Sequence, residues 1–344
     1  MVELLSQPGG PMIAVYVVTY RRHQLLRRAI ASVLAQTHRN LRLLVVNDDP
    51  DDAVVAQILA DFTDDRLSLF EPLQKRGATG SFALVFEEAE ADFVALLEDD
   101  NWWEPEFLAS QIGVLDKRPE SNVVVGNERI WREESDGSWI NTGRTIWSFG
   151  DIREHHFTLE SICGSAIYCN SSALVRVTMR RAFAVPASIP VDVTEHFRER
   201  TFTEPVLLNG AALTNYSETL ETARDVTGVR WSHYQQLLIG SCMIALPSAA
   251  ARRELAQRLW LGVPGPRTPR AVTLVLTGLS IPEASSLLRE APLAALMRAA
   301  LTVFRRRGML LRGKINGEMT DALRFLVNAP LTQALVNQAG ELVR

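Results

Sequence analysis

The stretch DFVALLEDDNWWEP, residues 92–105, decides how the chain folds. Phe93 to Leu97 form an unbroken apolar run of strand length, the pattern of a strand covered on both faces. Asp99, Asp100 and Asn101 end it, and a Trp-Trp-Glu-Pro turn follows. Upstream, MIAVYVVTY (12–20) and LRLLVVN (41–47) are two more buried strands, and the second runs into Asn47-Asp48-Asp49-Pro50-Asp51-Asp52. Between them, residues 21–38 place Leu25, Leu26, Ala29, Ile30, Val33 and Leu34 at helical spacing, with a basic outer face. A helix is expected near 53–63, a short strand at 67–70, a glycine-containing loop at 73–81 and a helix at 81–91. Strands alternating with helices predict an α/β fold, a mainly parallel sheet with helices on both faces. Ligands of such sheets sit at the carboxyl ends of the strands, where both acidic clusters fall.

Beyond Pro105 the pattern changes. Residues 106–119 read as a helix and 122–133 as a strand with a hairpin through Ser135-Asp136-Gly137. Residues 141–160 read as loop, 162–177 as a strand then a helix, and 191–201 as a short helix. From about 231 the chain reads as helical, interrupted by Pro264-Gly265-Pro266 and Pro269. The expected organisation is a tail at 1–11, a catalytic domain at 12–230 and a helical extension at 231–344. The catalytic domain divides into halves at 12–104 and 105–230.

The 344 residues are 47% hydrophobic and 22% charged, an ordinary globular balance. A net charge of -4 argues against a nucleic-acid binder. Three cysteines, Cys163, Cys169 and Cys242, give no disulfide framework and no zinc spacing, which suits a reducing compartment. No signal peptide is evident, and no stretch reaches the ~18 apolar residues of a spanning helix. The expected location is cytoplasmic. Neither GxGxxG nor GxxxxGK[ST] follows the first strand, and GxSxG is absent. Dehydrogenase, P-loop and α/β-hydrolase chemistry are thereby disfavoured.

Asp99 and Asp100 at a strand end are suited to hold a hard divalent cation, Mn²⁺ or Mg²⁺, which keeps substrate phosphates in its shell. The competing reading makes them caps of the helix after Pro105. Asp48 either accepts hydrogen bonds from a base or ribose, or caps the next helix. Lys75 and Arg76 beside Gly77 suit a pyrophosphate, or form a solvated charge pair. His155, His156, His196 and His233 carry no assignment. Trp139 and Trp147 either stack on a sugar or pack in the core.

Together these residues resemble the family 2 glycosyltransferases, inverting enzymes of the GT-A fold. The likeness covers about residues 12–205. It rests on Val17-Val18-Thr19-Tyr20-Arg21, on Ser32-Val33-Leu34-Ala35-Gln36-Thr37, on Val45-Val46-Asn47-Asp48-Asp49, on Gly77 and on Glu98-Asp99-Asp100-Asn101. Asn47 and Asp49 replace an acid and a glycine of the family pattern, and Phe82-Ala83 stand near its missing Arg-Asn pair.

The resemblance implies a nucleotide-diphosphate sugar, UDP-linked by family habit, held by Thr19, Tyr20, Arg21, Asp48, Arg76, Gly77 and Asp99. Asp100 would carry the metal. In Val191 to Arg198, Asp192 is the implied general base, Glu195 its rival, and Arg198 closes the motif. The competing reading makes Asp192 the cap of a helix at 193–200. Gly164 and Ser165 would floor the acceptor site. The acceptor would be a glycan, a lipid-linked glycan or a small molecule.

Residues 298–314 carry Arg298, Arg305, Arg306, Arg307, Arg312 and Lys314 and no acid. Two readings stand: docking on anionic lipid at the inner membrane face, or a helix packed on its own domain or on a second subunit. The rival functions are a degenerate, non-catalytic scaffold and a nucleotidyltransferase. The second lacks its glycine-rich loop at Tyr20-Arg21-Arg22-His23.

Overall fold

The computed structural model describes residues 10–87, 90–164, 166–179, 185, 187, 189–200, 202, 204–220, 229–263 and 270–305. Two compact units emerge. One comprises Met1–His156, Ile167–Ala187 and Glu204–Ala223; the other comprises Phe157–Ala166, Ser188–Thr203 and Arg224–Arg344.

The first unit is a mixed α/β structure built on a sheet of ten strands among the described residues. They are β1 Ile13–Thr19, β2 Leu41–Asn47, β3 Leu67–Phe70, β4 Phe93–Glu98, β5 Trp102–Trp103, β6 Val123–Glu133, β7 Trp139–Thr145, β8 Ile152–His155, β9 Ala173–Arg176 and β10 Val206–Glu218. The spatial order is β3-β2-β1-β4-β9-β6-β10-β5, with β7 paired to β6 and β8 to β10. The first four strands are parallel, and antiparallel pairings bring β5, β7, β8 and β9 into the sheet.

Ile13, Val15 and Val17 of β1 share one core with β2, with β4 and with Leu26, Ala29, Ile30 and Val33 of helix α1, His23–Leu34. Tyr16 and Val18, which point the other way, are buried too, so both faces of β1 are covered. Burying a side chain such as Leu97 contributes roughly 1.5–3 kcal/mol. The order runs outward from β1 to β3 and then jumps back to β4 on the other side of β1. That reversal is a topological switch point, where parallel sheets open a crevice beyond their carboxyl ends.

Helix α2, Val54–Ala60, follows β2; helix α3, Gly77–Leu84, precedes β4; and helix α4, Phe107–Asp116, follows the tryptophan turn. Several expectations are corrected. The loop expected at 73–81 becomes helical from Gly77, and the helix expected at 81–91 stops at Leu84. Gly77 has a φ of +73°, a conformation that a side chain would strain. The loop expected at 141–160 holds the end of β7 and all of β8, whose exposed, polar residues lack a buried alternation. Residues 162–177 have no strand-then-helix order: 3-10 turns at Ser161–Cys163 and Asn170–Ser172 precede strand β9. Strand β10 was not expected, because Asn209-Gly210 interrupts its apolar run and its register shifts there. A Cβ on Gly210 would stand 2.5 Å from the Gly150 carbonyl carbon, so this crossing requires glycine.

The second unit is helical over most of its described length. It contains α5 Thr194–Glu199, α6 Val229–Ala245, α7 Ala249–Gly262, α8 Ala271–Ser280, α9 Ser286–Arg289 and α10 Leu293–Arg305. Ser248 caps α7 by accepting from the Ala251 amide at 3.1 Å. The breaks expected at Pro264-Gly265-Pro266 and Pro269, and the basic run after Arg305, lie outside the described residues. No described helix is long and apolar enough to cross a membrane.

Candidate active site

At the switch point, register alone sets β1 against β4: Val18 lies opposite Glu98. The next residue of each strand therefore meets its counterpart. The Thr19 hydroxyl donates to Asp99 Oδ2 at 2.8 Å, and the Tyr20 amide approaches the same oxygen at 3.4 Å. Arg22 reaches both acids, with Nη1 at 2.7 Å from Asp100 Oδ2 and 3.3 Å from Asp99 Oδ1. Thr19 and Asp99 are buried. Burial and the adjacent Asp100 charge push the Asp99 carboxyl up to about 7, against the pull of Arg22 and Thr19. Burial also raises Asp100, again with Arg22 opposing. Arg22, with Arg28 also acting on Asp100, does not fully offset the burial of the two carboxylates.

The second acidic cluster is tied to the first through β1. The Asp48 amide donates to the Thr19 carbonyl at 3.0 Å. Asp48 Oδ1 accepts from the Arg76 amide at 2.8 Å and from the Ser81 hydroxyl at 2.7 Å. Helix α3 thus supplies Ser81 next to the place where the family pattern has its Arg-Asn pair. The Arg76 guanidinium turns instead to Glu87, at 2.9 Å, in an exposed pair. Asp49 is taken by Arg21, whose φ of 59° puts a non-glycine residue in the left-handed region. The Lys75 ammonium stands 3.6 Å over the half-exposed Tyr20 ring.

The basic face expected of residues 21–38 is not all turned outward, because Arg22 and Arg28 point inward. The Arg28 guanidinium lies between Trp102, at 3.8 Å, and Trp139, at 4.3 Å, and donates to the Asp100 carbonyl at 2.8 Å. Burial lowers it to about 10. The Ser217 hydroxyl donates to the same carbonyl, and the Ser217 amide donates to Asn101 Oδ1 at 2.9 Å. The backbone of the acidic turn is therefore held from α1 and β10 at once. No signal in the sequence marks Arg28, since its partners come from β5 and β7. Trp103 is core, stacked on Phe107 at 4.5 Å, and Trp147 is buried with its indole donating to Ile167.

The structure thus groups Thr19, Tyr20, Asp99 and Asp100 around Arg22, and joins Asp48 to Arg76 and Arg21 to Asp49. Asp192, Glu195, Arg198 and Gly164 belong to the second unit. Asp192 is exposed in a 3-10 turn before α5, Glu195 is half-buried and Arg198 is buried. Burial raises the Glu195 carboxyl, with Arg198 opposing. Gly164 is buried and donates to the Ser161 carbonyl at 3.1 Å. Ser165 lies outside the described residues.

Among the described residues, no group of three or more His, Cys, Asp or Glu side chains is disposed to hold a metal. A Mg²⁺-type ion needs only one or two carboxylates when substrate phosphates and water complete its shell. The incompletely compensated Asp99–Asp100 pair fits that requirement.

Residues 14–178 match the glycosyl transferase family 2 domain. The chain is 30% identical over 124 residues to UDP-Glc:alpha-D-GlcNAc-diphosphoundecaprenol beta-1,3-glucosyltransferase WfgD of Escherichia coli, covering 36% of this chain and 48% of that protein. It is 34% identical over 117 residues to an uncharacterized glycosyltransferase of Nostoc, covering 33% of this chain and 34% of that one. The matched segments thus span half or less of these curated relatives. S. aureus TarS 1–349 in complex with UDP-GlcNAc shares the fold, with a TM-score of 0.56 and 15% identity over 92% of this chain and 90% of that one.

Proposed function

Given that residues 14–178 belong to glycosyl transferase family 2, we propose that the chain is an inverting glycosyltransferase. It moves a sugar from a nucleotide-diphosphate sugar, UDP-linked, to an acceptor hydroxyl of a glycan, a lipid-linked glycan or a small molecule. The observation that carries this is the Thr19–Asp99 hydrogen bond at the β1/β4 switch point, with Asp100 beside it. WfgD is named for a UDP-Glc donor and a diphosphoundecaprenol-linked acceptor, and TarS was solved with UDP-GlcNAc, which supports the donor class.

Asp48, fixed through Oδ1, offers its other oxygen to the base. Tyr20 would contribute to nucleotide binding from the end of β1, Gly77 would let the diphosphate approach the backbone at the start of α3, and Arg76 would supply a cation beside it. Asp99 Oδ1, which accepts the longer of the two Arg22 contacts at 3.3 Å, is the oxygen for ribose or sugar hydroxyls. Asp100 would hold Mn²⁺ or Mg²⁺. The ion supplies neutralisation of the diphosphate leaving group. Asp192 removes the proton of the acceptor hydroxyl as its oxygen attacks the anomeric carbon in line. Glu195 is the rival base, because a carboxyl raised by burial takes a proton more readily.

The test is transfer from UDP-sugars, followed by release of UDP and by the anomeric coupling constant of the product. Asp192→Asn should lower kcat by about 10²–10⁴-fold while UDP binding persists. A full-rate Asp192→Asn beside a dead Glu195→Gln would move the base to Glu195. Release of pyrophosphate, or no turnover with any donor that binds, would overturn the reading.

A further inference from the structure

Helix α10 (Leu293–Arg305) buries two alanines and exposes four large apolar residues. Ala295 and Ala299 are buried, and the helix packs on α8. Leu293, Met297, Leu301 and Phe304 are 72%, 60%, 48% and 76% exposed. At about 100° per residue these four fall within an arc of about 80°. Exposed Arg298 and Arg305 project along one edge of that stripe, and the helix contains no acid. The sequence continues with Arg306, Arg307, Arg312 and Lys314 before any acid appears, in a chain whose net charge is -4.

A stripe of exposed large apolar residues on a soluble surface requires a partner. Charge selects which one. Across an isologous contact between two copies, the same stripe would bring the two basic edges together. A bilayer with anionic headgroups instead complements both features, the apolar stripe by burial and the arginines by charge. We propose that α10 is an interfacial helix that docks the chain on an anionic lipid surface. Leu293, Met297, Leu301 and Phe304 enter the headgroup–acyl boundary, and Arg298 and Arg305 face lipid phosphates. The proposal concerns the helical unit and does not depend on the donor chemistry at the strand ends.

The test is co-sedimentation of the full chain with vesicles of phosphatidylcholine alone or with about 30% phosphatidylglycerol, at about 0.1 and 0.5 M NaCl. The wild type should pellet with the anionic vesicles only and bind them several-fold less at the higher salt. Leu301→Asp with Phe304→Asp should cut vesicle binding at least tenfold, with the circular dichroism spectrum and melting temperature unchanged because both side chains are exposed. Arg298→Glu with Arg305→Glu should weaken binding while leaving the apolar stripe intact. No wild-type pelleting, or equal pelleting of the Asp variant, overturns the proposal. So does a concentration-dependent dimer, abolished by Leu301→Asp/Phe304→Asp, in protein that ignores vesicles.

Discussion

At the ends of β1 and β4 each carboxylate takes its partners from another element, whereas the charges of residues 192–200 sit on one turn and one short helix. Asp99 meets Thr19, Tyr20 and Arg22, and the Asp100 carbonyl meets Arg28 and Ser217. In the second unit, Thr194 donates to Glu195 at 3.2 Å, and His196 pairs with Glu199 one turn on, at 3.4 Å. Arg200 reaches out of its helix to Ser241 at 2.5 Å. Partners drawn from separate elements fix a geometry that the sheet would hold without them. Charges buried along one helix must compensate one another or destabilise it. Substitution at the strand ends should therefore cost function first, whereas substitution of the buried His196, Arg198 and Glu199 should cost stability first.

Arg198→Ala should break that contrast most visibly. It removes the buried cation that opposes the half-buried Glu195 carboxyl, and about 3 kcal/mol of stability should be lost in urea unfolding. A loss under about 1 kcal/mol would mean that α5 tolerates uncompensated charge. Arg22→Ala should act differently. In EDTA the melting temperature should fall by a few degrees, because Asp99 and Asp100 lose their shared cation, and Mn²⁺ should restore it. A fall that Mn²⁺ does not reverse would divorce the acidic pair from metal binding.

The smallest effect is one of pH. Burial presses His196 toward its neutral form, but Glu199 and Glu195 outweigh it and hold the imidazole above its ordinary value. The stability this contributes is complete below the unfolded value near 6.5 and is lost as pH rises through the folded one. Thermal melts should show that loss in the wild type above about pH 6.5 and not in His196→Asn.

What was legible in the sequence follows from the same contrast. Strands β1, β2 and β4 are buried on both faces, so they stand out as apolar runs, and their ends mark the crevice. Helix α1 shows its core face by spacing alone. The hairpin of β6 and β7 was expected, but the end of β7, β8 and β10 escaped because their residues are polar or interrupted by Asn209-Gly210, and β8 and β10 take partners far along the chain. Arg22 and Arg28 escaped for a related reason. A basic helix face looks solvated until the acids and tryptophans that it meets, more than seventy residues away, are brought against it. The candidate acids could be named from their position at strand ends, but the cations that balance them could not.

The central claim is that the β1/β4 strand ends bind a nucleoside diphosphate with a divalent cation. The most direct measurement is isothermal titration of UDP into the wild type and Asp100→Ala, each in Mn²⁺ and in EDTA. The account predicts binding strengthened by Mn²⁺ in the wild type, a gain lost in Asp100→Ala, and an unchanged melting temperature for the free variant. UDP binding that is indifferent to both the metal and Asp100, or no binding of UDP, would contradict it.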